Sequence, residues 1–270
     1  MCMTQIISAQ NSQLKHLAKL LSQAKTRREH RQTVLEGVHL LQSYLQAGFA
    51  PVHVFVPESK LMRAEEQSVI SVLPDSLITV VGGEALAKIS SLTEGEELMT
   101  LIDMPSEKKL PESGDCVVLD RVQDPGNVGT ILRSAAASGV QHIVLGADSA
   151  DVWAPKVLRA GMGAHFLLEI TTRVDLPQWC RHYSGNIWAT ALSKINNRNL
   201  YSLDLKRPCA WVFGNEGSGV SAEIMQLASS CVLIPMAGQT ESLNVAMAST
   251  VCLFEQLRQR LAERPSEIKK

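Results

Sequence analysis

The pattern of apolar and polar positions divides this chain into alternating helices and strands. Residues 11–24 place Leu14, Leu17, Ala18, Leu20 and Leu21 at helical spacing. A basic, polar stretch follows. Residues 34–47 then predict a second helix with Leu35, Val38, Leu41 and Leu45 inward, stopped by Gly48. Val52–Val56, Leu77–Val81 and Leu98–Ile102 are apolar runs of strand length. Residues 60–73 and Glu84–Ile89 predict helices between them. These elements make a small α/β domain over residues 1–103. Residues 104–115 are polar, contain Pro105 and Pro111, and predict a linker.

Residues 116–270 predict a second domain. Cys116–Leu119, His142–Leu145, Phe166–Ile170, Ile187–Ala191, Ala210–Phe213 and Cys231–Ile234 are near-continuous apolar runs. That character suits a parallel sheet covered on both faces. Helices are expected over Val128–Ser138, ended by Gly139, over Pro155–Ala160, and from about Val245 to Leu261. The alternation makes this domain α/β and doubly wound. Ligands in such sheets gather beyond the carboxyl ends of the strands.

Composition narrows the class. The chain has 270 residues, 45% of them hydrophobic, and a net charge of −1, so it is not a polycation as a whole. Its first 31 residues nevertheless hold Lys15, Lys19, Lys25, Arg27, Arg28 and Arg31 against the single acid Glu29. A local basic patch engages phosphates whatever the total charge. The alternative for Lys25–Arg31 is a solvated face. Six scattered cysteines form no C-x-x-C pair, which argues against a zinc site of that kind and for a reduced, cytoplasmic protein. No signal-peptide core or membrane-spanning run is evident. The histidines form no H-E-x-x-H, and no metal is expected.

Three segments carry candidate chemistry, each after an apolar run. Asn127-Val-Gly129-Thr-Ile-Leu-Arg133 opens a helix, with Asn127 as its expected N-cap and Arg133 two turns in, opposite Ile131 and Leu132. The bland reading is a capped helix with a surface arginine. The functional one puts the guanidinium at a phosphate or reacting hydroxyl. Gly214-Asn-Glu216-Gly-Ser-Gly219 lacks the Gly-Lys-Ser/Thr ending of a Walker A loop. A glycine loop with one carboxylate suits a neutral or cationic ligand; otherwise Glu216 simply caps a helix beginning near Val220. Ile234-Pro-Met-Ala-Gly-Gln-Thr-Glu-Ser-Leu-Asn244 opens the last helix, where Ser242 and Asn244 serve either as caps or as site groups. Gly161-Met-Gly163 is only a fragment of a dinucleotide fingerprint, so an oxidoreductase is disfavoured.

Together the three segments resemble the signature motifs of the SpoU, or TrmH-type, branch of the SPOUT RNA 2′-O-ribose methyltransferases, over roughly residues 114–262. Residues 5–102, notably Gln32-Thr-Val-Leu-Glu36-Gly37, are similar in pattern to the L30e-like substrate-binding domain of many members. The resemblance implies a parallel-sheet catalytic domain with a C-terminal trefoil knot, an S-adenosylmethionine pocket and a homodimer whose sites combine both protomers. It implies cofactor contacts from Thr190, Leu192, Gly214, Glu216, Gly219, Ile234, Met236, Leu243 and Asn244. Arg133 would act at the 2′-hydroxyl, as base or as a charged positioning group, with Ser242, Asn244 and Glu216 as further catalytic residues. Asn127, Arg133, Lys25, Arg27, Arg28 and Arg31 would meet RNA. The extra N-terminal domain favours rRNA, above all 23S, over tRNA. A catalytically silent RNA-binding protein of the same fold remains the alternative.

Overall fold

The computed structural model describes residues 4–6, 8, 10–92, 97–191 and 197–263. It falls into two compact units, Met1–Ser106 with Trp153–Phe166, and Glu107–Val152 with Leu167–Lys270.

The first unit is built on a five-stranded mixed sheet of β1 (Thr4–Ile6), β2 (Gln32–Glu36), β3 (His53–Pro57), β4 (Ile78–Val81) and β5 (Met99–Asp103). The strand order is β1-β4-β3-β5-β2; β1, β4 and β3 run parallel, and β5 pairs antiparallel with both β3 and β2. Helix α1 (Ser12–Ser22) lays Leu14, Leu17, Leu20 and Leu21 against Val34, Phe55 and Met99. Alternate residues of β3 point to opposite faces. Val54 and Val56 accordingly pack with Val38 and Leu41 of α3 (Val38–Gln46) and with Val69 and Ile70 of α4 (Ala64–Ile70). The basic stretch forms a short helix of its own, α2 (Ala24–His30).

The helix expected over residues 34–47 is shorter than its pattern suggested. Residues 32–36 are a strand whose Thr33, Val34 and Leu35 are all buried, and Gly37, at φ 97, breaks the chain before α3. The first unit also takes in residues 153–166, which the sequence reading placed with the second domain. Leu158 and Phe166 of this segment pack against Leu35, Leu40, Tyr44 and Ile102.

Among the described residues the second unit holds seven strands, all parallel: β6 (Cys116–Asp120), β7 (His142–Gly146), β8 (Glu169–Val174), β9 (Asn186–Thr190), β10 (Asn197–Asn199), β11 (Cys209–Gly214) and β12 (Ser230–Leu233). Their order is β10-β12-β9-β11-β6-β7-β8. Every residue of β6 and β11 is buried, as near-continuous apolar strands of a covered parallel sheet should be. Helices α5 (Pro125–Ser138) and α9 (Val245–Glu263) pack together, with a 2.7 Å hydrogen bond between Ser134 Oγ and Thr250 Oγ1. The helix Pro155–Gly161, α6, belongs to the first unit; α7 (Leu176–His182) and α8 (Ala222–Leu227) pack together in the second.

Register decides where the chemistry lies. Gly214 is opposite Asp120, and Val232 is opposite Thr190. The carboxyl ends of β6, β9, β11 and β12 therefore meet at one edge, and the loops leaving them share that edge.

Candidate active site

A cavity of about 570 Å³ opens at this edge. Thr190, the last residue of β9, and Ala191 after it enter its wall, as does the whole loop Gly214–Gly219, which begins on the last residue of β11. Ile234 and Met236 line it after β12, then Ser242, Leu243 and Asn244 at the entrance to α9. The fold thus gathers Thr190, Gly214, Glu216, Gly219, Ile234, Met236, Ser242, Leu243 and Asn244 around one space. Leu192, the remaining expected contact, lies outside the described residues. Val220 and Met225 add apolar wall that motif spacing did not single out, beside Val245 and Ala248 of the third segment.

The glycine loop is closed on itself. Asn215 N donates to Gly219 O at 3.0 Å, and Gly219 N returns to Asn215 O at 2.8 Å. The side-chain oxygen of Asn215 accepts from Gly217 N and Ser218 N, both at 3.0 Å. Closure is so tight that a Cβ on Gly214 would stand 2.1 Å from Val220 N, and Gly219 sits at φ 69. Both positions need glycine for these reasons.

Glu216 projects from this loop to the start of α5. Its Oε1 accepts from Asp124 N at 3.1 Å and from Asn127 Nδ2 at 2.9 Å, and its Oε2 from Gln123 N at 3.3 Å. Burial pushes the Glu216 carboxyl pKa up. The Asn127 amide and the backbone N–H groups of Glu216, Asp124 and Gln123 outweigh it, so the pKa falls below its ordinary value. Capping of α8 by Glu216 is not what the structure shows, because that helix begins at Ala222, after Ser221. Nor is Asn127 the N-cap of α5. Asp124 holds that place and accepts from Asn127 N at 2.8 Å, which frees the Asn127 side chain.

The freed amide reaches the third segment. Asn127 Oδ1 accepts from Asn244 Nδ2 at 2.9 Å, while Asn244 Oδ1 accepts from Ala246 N at 2.9 Å and Met247 N at 3.3 Å and so caps α9. Asn244 both caps α9 and lines the cavity. Thr190 spends its hydroxyl on Val212 O at 3.1 Å. Arg133 is exposed on α5, has no hydrogen bond or ion pair among the described residues, and does not line the cavity.

Of the basic residues expected to meet RNA, Arg27 is turned inward. It is 4% exposed, and its Nη1 donates to the carbonyls of Leu20 and Leu21 at the end of α1. Those carbonyls have no partner within their own helix, and a buried guanidinium supplies donors for both. Lys25, Arg28 and Arg31 are exposed; Lys25 pairs with Glu29 at 3.7 Å, and Arg31 Nη2 donates to Pro105 O at 3.3 Å.

Comparison with known proteins gives two family matches. The SpoU rRNA Methylase family covers residues 115–254, and an MRM3-like substrate binding domain covers residues 11–100. An uncharacterized tRNA/rRNA methyltransferase of Synechocystis is 37% identical over 266 residues, covering 95% of this chain and 94% of its own. The 23S rRNA (guanosine(2553)-2′-O)-methyltransferase RlmP of Bacillus subtilis is 29% identical over 255 residues, covering 93% and 98%. Among solved structures, an AdoMet-bound rRNA methyltransferase from Sinorhizobium meliloti matches with a TM-score of 0.78 at 28% identity, covering 95% of this chain and 98% of the other.

Proposed function

Since the chain belongs to the SpoU rRNA methylase family, we propose that it transfers a methyl group from S-adenosylmethionine to a ribose 2′-hydroxyl of 23S rRNA. The observation that carries this reading is the hydrogen-bonded chain Glu216–Asn127–Asn244, which ties all three segments together beside the cavity.

The cavity fits the cofactor. Its volume lies within the range of small-ligand pockets. Ile234, Leu243 and Val245 give it apolar wall, and Glu216 supplies a carboxylate held anionic, which suits a cationic ligand better than a polyphosphate. Thr190, Gly214, Gly219, Ile234, Met236 and Leu243 would hold it. When bound, S-adenosylmethionine supplies a methyl group on a sulfonium, already activated toward attack.

This chain's residues then have to orient the ribose and manage its proton. Arg133 is exposed and its donors have no partner among the described residues, which suits the phosphate and hydroxyl of an incoming nucleotide. A guanidinium stays protonated, so its role is to position the hydroxyl and stabilise the charge that develops there. Ser242 and Asn244 present a hydroxyl and an amide at the cavity mouth. Asn127 and Glu216 keep the Asn244 amide turned one way.

The first unit would hold the RNA, with Lys25, Arg28 and Arg31 at its phosphates. The active form would be a homodimer. Met247 and Phe254, exposed by 49% and 43% and seven residues apart on α9, offer an apolar stripe for the second copy. Among the described residues no helix is long and apolar enough to cross a membrane, and a cytoplasmic location accords with an rRNA substrate.

The test is incubation of the protein with radiolabelled S-adenosylmethionine and separate pools of unmodified 23S rRNA, 16S rRNA and tRNA, followed by nuclease mapping. Label on a ribose 2′-oxygen of 23S rRNA is expected. No label in any pool, together with no cofactor binding by calorimetry, would favour the silent RNA-binding reading.

A further inference from the structure

Arg121 stands between β6 and α5, outside the residues that line the cavity, in an unusual conformation. Its φ is 60, the left-handed region that side chains other than glycine, asparagine and aspartate seldom adopt. Three contacts hold it there. Arg121 Nη2 donates to Gly219 O at 3.2 Å, and Nε donates to Asp120 Oδ1 at 3.3 Å. Its own carbonyl accepts from Asn215 Nδ2 at 3.0 Å.

The carboxylate that anchors Arg121 also anchors the end of the glycine loop. Asp120 is 5% exposed, and its second oxygen accepts from Ser221 N at 2.6 Å. Arg121 therefore grips both rims of the loop, Asn215 on one side and Gly219 on the other. Those two residues also bond each other, so opening the loop requires the Asn215–Gly219 pair and both of their bonds to Arg121 to break.

We propose that Arg121 is a positioning residue for the cofactor loop: its guanidinium keeps Gly214–Gly219 closed and so sets where the loop backbone and Glu216 stand at the cavity. This rests on S-adenosylmethionine being the occupant of that cavity. Arg121 acts through the loop and does not itself touch the ligand space. Left-handed backbone at this position makes glycine the conformationally easy choice, so the arginine side chain is there for its donors.

The same point makes the test clean. Arg121→Gly relieves the left-handed backbone and removes the whole side chain, so Arg121→Lys is needed beside it to separate the guanidinium from the aliphatic stem. Its thermal midpoint should stay within about 3 °C of the native protein. Its dissociation constants for S-adenosylmethionine and S-adenosylhomocysteine should rise about tenfold by calorimetry, the worth of one charge-assisted hydrogen bond. The turnover number at saturating cofactor should move much less than KM for the cofactor. In the ligand-free protein, amide exchange at Gly217, Ser218 and Gly219 should quicken. Arg121→Lys, a single point charge without the fork, should recover part of the affinity. Native affinity and native exchange in Arg121→Gly would overturn the proposal; so would a large fall in melting temperature with no recovery in Arg121→Lys, which would mark a residue of the fold only. A native protein that binds no S-adenosylmethionine would defeat the functional reading instead, and exchange in the ligand-free protein would still decide whether Arg121 closes the loop.

Discussion

Asn244 donates from its side-chain nitrogen to the side-chain oxygen of Asn127 at 2.9 Å, and both amides are committed at their other ends, to α9 and to Glu216. Turning over the Asn127 amide would lose two hydrogen bonds, and turning over the Asn244 amide three. Two separate roles of Asn244 can therefore be pulled apart. Asn244→Asp keeps an oxygen to cap α9 but sets a second oxygen against Asn127 Oδ1. Its melting temperature should stay close to native, while methyl transfer falls at least about tenfold. Asn244→Ala should lose about 1 kcal/mol of stability as well, since the cap goes too. Thermal unfolding and rate measured on the same two variants give the check; equal rates in native protein and Asn244→Asp would remove the amide from the mechanism.

Glu216 predicts a dependence on acid. Its carboxyl pKa is held below the ordinary 4.5 by hydrogen bonds from the α5 entrance. The stability it contributes is complete above that ordinary value and disappears as the pH falls through the lowered one. The difference in melting temperature between native protein and Glu216→Gln should be level from neutral pH down to about 5, then shrink in stronger acid. Unfolding curves across pH 3–8 would show it, and a difference that grew on acidification would reverse the sign assigned here.

Arg133 has no partner among the described residues, so its removal should leave the fold alone. Arg133→Ala is expected to abolish methyl transfer, with cofactor affinity within a few fold and the melting temperature unchanged within about 2 °C. A variant with full activity would take Arg133 out of the reaction.

The basic end of the first unit should divide into two kinds of residue. Neutralising Lys25, Arg28 and Arg31 together should weaken RNA binding and flatten its dependence on salt, because fewer phosphate contacts release fewer counterions. Arg27→Ala should act differently. It leaves the Leu20 and Leu21 carbonyls without their donor, at a cost of about 1–3 kcal/mol, and should lower the melting temperature. An unchanged salt slope in the triple variant would confine RNA binding to the second unit.

Much of this was legible from residue order, and the exceptions have physical causes. The strands of the second unit show in the sequence because a covered parallel sheet has no polar face. The three-residue strands β1 and β10 are too short to leave a rhythm. Strand β2 was absorbed into a helix because apolar residues in a strand buried on both faces match either period. The cavity residues were identified by their motifs, yet their bonds were not. Asn127 finds Glu216 and Asn244 from 89 and 117 positions away, and no local pattern states such a pairing. Asp124 took the cap expected of Asn127, a choice between adjacent polar residues that only the helix start resolves. Asn215, Asp120 and Arg121 were missed because nothing in an Asp-Arg or Gly-Asn pair announces a left-handed arginine. Arg27 looked like its exposed neighbours, and only the open end of α1 explains why it turns inward.

The cavity's walls come from β9, β11, β12 and the first turn of α9, the last of which begins at Val245. A chain that lacked residues 234–248 would keep the sequence of β6 and α5 but lose one wall of the cavity. Without that segment Glu216 and Asn127 would lack Asn244, the third member of their hydrogen-bonded chain. Ligand can add to the stability only of a molecule whose cavity is complete, so cofactor protection should distinguish whole chains from C-terminally damaged ones. Truncations and misfolded C-terminal ends would go unprotected by cofactor, and so stay open to proteolysis, while finished copies are stabilised by it.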